Sequence, residues 1–88
     1  MRIDKFLKVT RLTKRRETAK ELCLDNDVYL NGRPAKPMSE VAVGDTLVIQ
    51  LGKHKITAKV RSIKEFARKE EANEMYEILS DESKAEGW

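Results

Sequence analysis

Residues 10–20, TRLTKRRETAK, carry five cationic side chains and one anionic one in eleven positions. Arg11, Lys14, Arg15, Arg16 and Lys20, packed into so short a stretch, suit the neutralisation of a polyanion. Ammonium and guanidinium groups facing a nucleic acid displace condensed counterions, and a guanidinium can also fork onto a phosphate or stack on a base. Arg2, Lys5 and Lys8 stand just upstream and Lys36 downstream, completing the candidate set. The competing reading is a solvated helix face. Such a face usually intersperses Glu one turn from each Lys or Arg, and here only Glu17 and Glu21 do so.

Other chemistries lack their residues. Acid–base catalysis needs convergent carboxylates or a partnered His, but the acids gather near the C-terminus and the single His54 falls at an expected hairpin tip. There is no Gly-rich phosphate loop, nucleophile elbow or metal-ligand spacing, so no enzyme, cofactor or metal is expected. The lone Cys23 cannot form an internal disulfide, and between Leu22 and Leu24 it reads as a small buried residue. No apolar run approaches a membrane span and the start has no signal-peptide pattern, so a cytoplasmic protein with no membrane contact is expected.

Charge is segregated along the chain. Residues 1–22 carry eight Lys or Arg against three acids, residues 23–64 seven against four, and residues 65–88 three against eight. A basic front and middle with an acidic end fit a polyanion-binding face, whereas mutual pairing of the two ends would give weak surface contacts that need no such segregation.

The positioning elements follow from hydrophobic spacing. Eighty-eight residues allow one domain. Ile3, Phe6 and Leu7 recur at helical spacing, as do Leu12, Ala19, Leu22 and Cys23, predicting two short helices, the second capped by Thr13 and ending at Asp25–Asn26. Arg2, Lys5 and Lys8 lie off the first apolar face, and Lys14, Arg15, Arg16 and Lys20 off the second, giving an outward cationic shelf. Val28 and Leu30 alternate with Tyr29 before the turn signal Asn31-Gly32, and Tyr29 is a candidate for stacking on a base. Pro34 and Pro37 restrict the chain around Lys36 to an extended or edge segment. A turn at Gly44-Asp45 leads into VAVGDTLVIQL and HKITAKVRSI, which alternate as half-buried antiparallel strands joined around Gly52.

From Lys64 the period reads as helical again, with Phe66, Ala72, Met75, Tyr76 and Leu79 sharing a face, and the final SDESKAEGW is expected to fray. The order helix, helix, small antiparallel sheet, helix defines an α+β class. Residues 1–63 would form the RNA-binding domain and residues 64–88 an acidic helix and tail. A helix-turn-helix reading DNA is the rival. However, the cationic face offers few Asn, Gln or Ser to discriminate bases, which suits backbone and shape recognition of RNA.

The stretch MRIDKFLKVTRLTKRRETAKELCLDNDVYLNGRPAKP resembles the S4-type RNA-binding domain shared by a small-subunit ribosomal protein, pseudouridine synthases and tyrosyl-tRNA synthetases. The family pattern is met by Arg2, Ile3 and Asp4, by Arg16 and Ala19, by Val28, Leu30, Asn31 and Gly32, and by Gly44 and Asp45. Two positions depart from it. Arg15 stands where a Ser or Thr is usual, and Asn26 where Gly is usual. With ARKEEANEMYEIL included, the chain is similar to the small stand-alone RqcP-type members of bacterial ribosome-associated quality control, which have the fifteen-kilodalton heat-shock protein as a relative.

The resemblance implies a non-catalytic, ribosome-associated factor on the free large ribosomal subunit. It would bind large-subunit rRNA and peptidyl-tRNA and support C-terminal alanine tailing, with the RqcH tailing factor as candidate partner. Recycling of large subunits in the manner of the heat-shock protein, a role in ribosome assembly, and a protein adaptor using the acidic helix stay open as alternatives. A monomer is expected. Asp4 is expected to orient a neighbouring Arg rather than touch RNA, and Asn31 and Gly32 to form the turn.

Overall fold

A computed structural model of the chain describes residues 1–83; Trp88 and the rest of the last five residues of the expected tail lie outside them. The first helix, α1, spans Ile3–Val9 and buries Ile3, Phe6 and Leu7, as their spacing predicts. It stops because Thr10 turns its hydroxyl back onto the Phe6 carbonyl at 2.7 Å and Arg11 adopts a left-handed φ of 62°. The Thr13 amide then donates to Leu7 O at 3.1 Å, folding the link against the end of α1.

The second helix, α2, spans Arg16–Leu24, so it begins later than the expected Thr13 cap. The Thr13 hydroxyl donates to the Arg15 carbonyl at 3.1 Å instead, and is thus spent on the turn. Lys14 and Arg15 consequently stand on the link between the helices rather than on α2. The far end of α2 is as expected. Asn26 takes φ 60°, its amide donates to Cys23 O at 3.1 Å and the Asp27 amide to Leu22 O at 2.8 Å, the paired bonds that close a helix on a left-handed residue.

Strands β1 (Val28–Leu30), β2 (Arg33–Pro34), β3 (Thr46–Leu51), β4 (His54–Val60) and β5 (Tyr76–Ser83), with a third helix α3 (Lys69–Glu74) before β5, complete the order. They form one antiparallel sheet in the order β2-β1-β3-β4-β5. Asn31 and Gly32 make the two-residue turn between β1 and β2, both with positive φ (52° and 83°), the pairing that matches the twist of a hairpin. The Asn31 side chain also accepts the Thr46 amide at 2.9 Å and donates to Asp45 at 3.2 Å, while Asp45 accepts the Ala42 amide at 2.8 Å. The Asn-Gly and Gly-Asp motifs are therefore one brace holding two turns together.

The expected long C-terminal helix is corrected. Only Lys69–Glu74 is helical, and the chain from Tyr76 to Ser83 pairs with β4. The segment Ala72, Met75, Leu79 has a helical period, but the edge of β4 offers a row of amides and carbonyls with which a further strand can pair. Ala58 pairs with Ile78 and Thr57 with Ser80, which leaves Leu79 as the extra, exposed residue of a bulge. Ser80–Ser83, expected to fray, belong to that strand.

The core lies between the helices and one face of the sheet. Ile3, Phe6 and Leu7 of α1 and Ala19 and Cys23 of α2 pack with Val28, Leu47, Ile49 and Val60, joined by Met75. Burial of this apolar surface, rather than the short helices' own propensity, fixes α1 and α2 side by side.

Candidate nucleic-acid interface

Asp4 organises the cationic side. Its carboxylate is fully buried and meets two guanidiniums, Arg2 at 3.1 Å on one oxygen and Arg16 at 3.2 Å on the other. The Lys5 amide donates to the same carboxylate at 2.8 Å. The Arg2 and Arg16 side chains themselves stay 44% and 41% exposed, although the Arg16 Nε is buried without a hydrogen-bond partner among the described residues. A buried anion thus holds two half-exposed guanidiniums from different elements at one place, as the pairing expected of Asp4 requires. Fixing the forks beforehand lowers the side-chain entropy lost when they engage a phosphate.

Nine candidate residues divide by what they touch. Arg2 and Arg16 share Asp4, and Lys5 pairs with Glu65 in the segment between β4 and α3. Among the described residues, no carboxylate forms an ion pair with Lys8, Arg11, Lys14, Arg15, Lys20 or Lys36. Six of the nine candidate cations therefore keep their charge without an intramolecular partner among the described residues. Lys20 follows Arg16 by one turn of α2, and Lys36 lines an apolar groove together with Arg2, Cys23 and Met38. Lys8 and Arg11 line a second, smaller cleft, beside Glu65 and Phe66.

Tyr29 does not join them. It lies on the open face of the sheet, beside Val48 and away from the helices, because its neighbours Val28 and Leu30 turn inward. The aromatic ring among the cations is Phe66, which the sequence pattern assigns to an apolar helix face; the structure leaves it 88% exposed with the Lys5 ammonium 5.9 Å from the ring centre. Glu65 and Phe66 have no sequence signal as neighbours of α1. Their contact spans some sixty residues and exists only once the sheet is built.

Cys23 sits beneath this face as a packing residue. Burial first, and the Asp4 charge second, push its thiol up to about 11 from 9.0. The folded state thus favours the protonated thiol, and its contribution to stability is complete below pH 9 and lost as pH rises towards 11. Urea unfolding is expected to lose about 1.4 kcal/mol per pH unit in that window. A Cys23→Ala protein, compared with its own stability at pH 8, should lack that component; an identical slope in both would refute the assignment.

Residues 1–47 match the S4 domain model. Over 82 residues the chain is 50% identical to the RQC P-site tRNA stabilizing factor of Listeria innocua, covering 93% of this chain and 89% of that one. It is 45% identical over 86 residues to the protein of the same name from Bacillus subtilis, covering 98% and 100% of the two chains. Its fold is similar to a trimeric structure of Vibrio cholerae Heat Shock Protein 15, with TM-score 0.85, 28% identity, and 91% and 82% of the two chains covered. The buried Asp4 with its two arginines, the brace of Asn31 and Asp45, and full-length similarity agree, and the chain belongs to the S4-domain family and, within it, to the RQC P-site tRNA stabilizing factors.

Proposed function

We propose that this protein is a non-catalytic RNA clamp of ribosome-associated quality control, seated on the free large ribosomal subunit against large-subunit rRNA and the P-site peptidyl-tRNA. Arg2 and Arg16 grip phosphates at a fixed spacing, and Lys8, Arg11, Lys14, Arg15, Lys20 and Lys36 surround them. Lys5, relieved of part of its charge by Glu65, is the weakest contributor. Holding the tRNA in place supports alanine tailing by the RqcH factor. On this reading the protein acts in the cytoplasm as a monomer, and positioning is its whole contribution. The single observation that carries the reading is the Asp4-centred pair of guanidiniums set among cations that lack intramolecular partners among the described residues.

Co-sedimentation with free large subunits, with and without P-site peptidyl-tRNA, tests it. Tighter binding to the tRNA-bearing subunit is expected, with at least a tenfold loss for Arg16→Ala from one charge-assisted contact. Equal binding to both subunits, or to neither, would overturn the reading. Recycling of such subunits is the alternative outcome for the same binding. Tailing assays separate the two: loss of this protein should shorten alanine tails if it supports tailing and leave them unchanged if it recycles subunits.

A further inference from the structure

Phe66 is anomalous as a structural residue. A phenyl ring left 88% exposed gains almost nothing from burial, although Ala67 beside it packs on the core and the link from Val60 to α3 is otherwise anchored. Its surroundings are cationic. Lys5 lies 5.9 Å from the ring centre, and Lys8 and Arg11 line the cleft of about 140 Å3 that the ring borders. The acid of that cleft, Glu65, is already paired with Lys5. A volume below the roughly 300–1,000 Å3 of sites that enclose a whole small molecule suits a flat group lying across the ring instead.

We propose that Phe66 is a stacking platform for one unpaired nucleobase of the bound RNA, with Lys8 and Arg11 taking the phosphates that flank it. An aromatic face between cations is what a single-stranded nucleotide needs: the ring receives the base without regard to its identity, and the cations hold the backbone. The site lies partly outside residues 1–47, so the RNA-contacting surface extends beyond the part that matches the S4 model onto the link before α3. The inference rests on the RNA-clamp reading and adds a second attachment point to it.

The test measures affinity for free large subunits carrying P-site peptidyl-tRNA, with nucleotide-resolution chemical footprinting, for Phe66→Ala, Phe66→Leu and Phe66→Trp. Losing one base–aromatic stack should weaken binding by roughly 5- to 150-fold in the Ala and Leu proteins, with near-normal affinity for Trp. One unpaired nucleotide should lose its protection in the same two proteins. Full affinity in Phe66→Ala, or rescue by Leu as well as Trp, would overturn the inference, the latter pointing to an apolar pocket of a ribosomal protein. Because the ring is exposed, thermal unfolding should be unchanged, which separates loss of the contact from loss of the fold. Failure here with Arg16→Ala still defective would sink the stacking site alone, whereas failure of both would sink the clamp.

Discussion

Raising monovalent salt from about 50 mM to about 200 mM, at constant magnesium, is expected to weaken binding to the tRNA-bearing large subunit by roughly 300- to 2,000-fold. This range comes from the cations without an intramolecular partner among the described residues: Lys8, Arg11, Lys14, Arg15, Lys20 and Lys36. If each neutralises one phosphate, counterion release gives a log–log slope of roughly −4.2 to −5.4. Replacing Lys14, Arg15 and Lys20 together by Ala should reduce that slope by roughly 2 to 3 and weaken binding at low salt. The three side chains are exposed and unpaired among the described residues, so stability should change by less than about 0.5 kcal/mol each. A salt slope identical to that of the unaltered protein would mean that these cations face solvent in the complex. Protein–protein docking through another surface would then be the better account.

The second large effect concerns Asp4. Arg2→Ala alone and Arg16→Ala alone should each cost about 1–2 kcal/mol, because the buried carboxylate keeps one guanidinium and the Lys5 amide. Removing both leaves a fully buried negative charge with a single backbone donor, and the double variant should lose about 4–5 kcal/mol, more than the two single losses added together. The penalty belongs to the stranded charge. In an Asp4→Asn background, the same double replacement should therefore cost less than about 1 kcal/mol. Urea unfolding of the six proteins, with the interaction energy taken from the cycle, checks it. Additive losses, or an unchanged penalty without the carboxylate, would show that Asp4 does not depend on the arginines. Asp4→Asn should nonetheless bind RNA poorly, since freeing the guanidiniums restores the disorder that the carboxylate removes.

Much of this was legible from local residue chemistry. The apolar spacing of Ile3, Phe6 and Leu7, the left-handed tolerance of Asn26 and the Asn31-Gly32 pair each impose their conformation within a few residues, so α1, the end of α2 and the first hairpin follow from sequence. The count and density of cations likewise needed no coordinates to indicate a polyanion. The start of α2 was misplaced because Thr13 has two possible partners, a helix amide or the Arg15 carbonyl, and packing of the link decides between them. In the same way Ala72, Met75 and Leu79 fit a helix by period, yet the free edge of β4 drew Tyr76–Ser83 into the sheet.

By itself, then, the sequence determined the charge and its segregation, indicated a polyanion, and supplied the candidate residues. Tertiary structure alone decided which of those residues are held and which are free: Asp4 reaches Arg16 across twelve positions, and Lys5 reaches Glu65 across sixty. It also placed Phe66 among the cations and Tyr29 away from them. The physical reason is range. Turn and helix preferences act over a few neighbouring residues, whereas ion pairing and strand pairing depend on distances in space that no periodicity encodes.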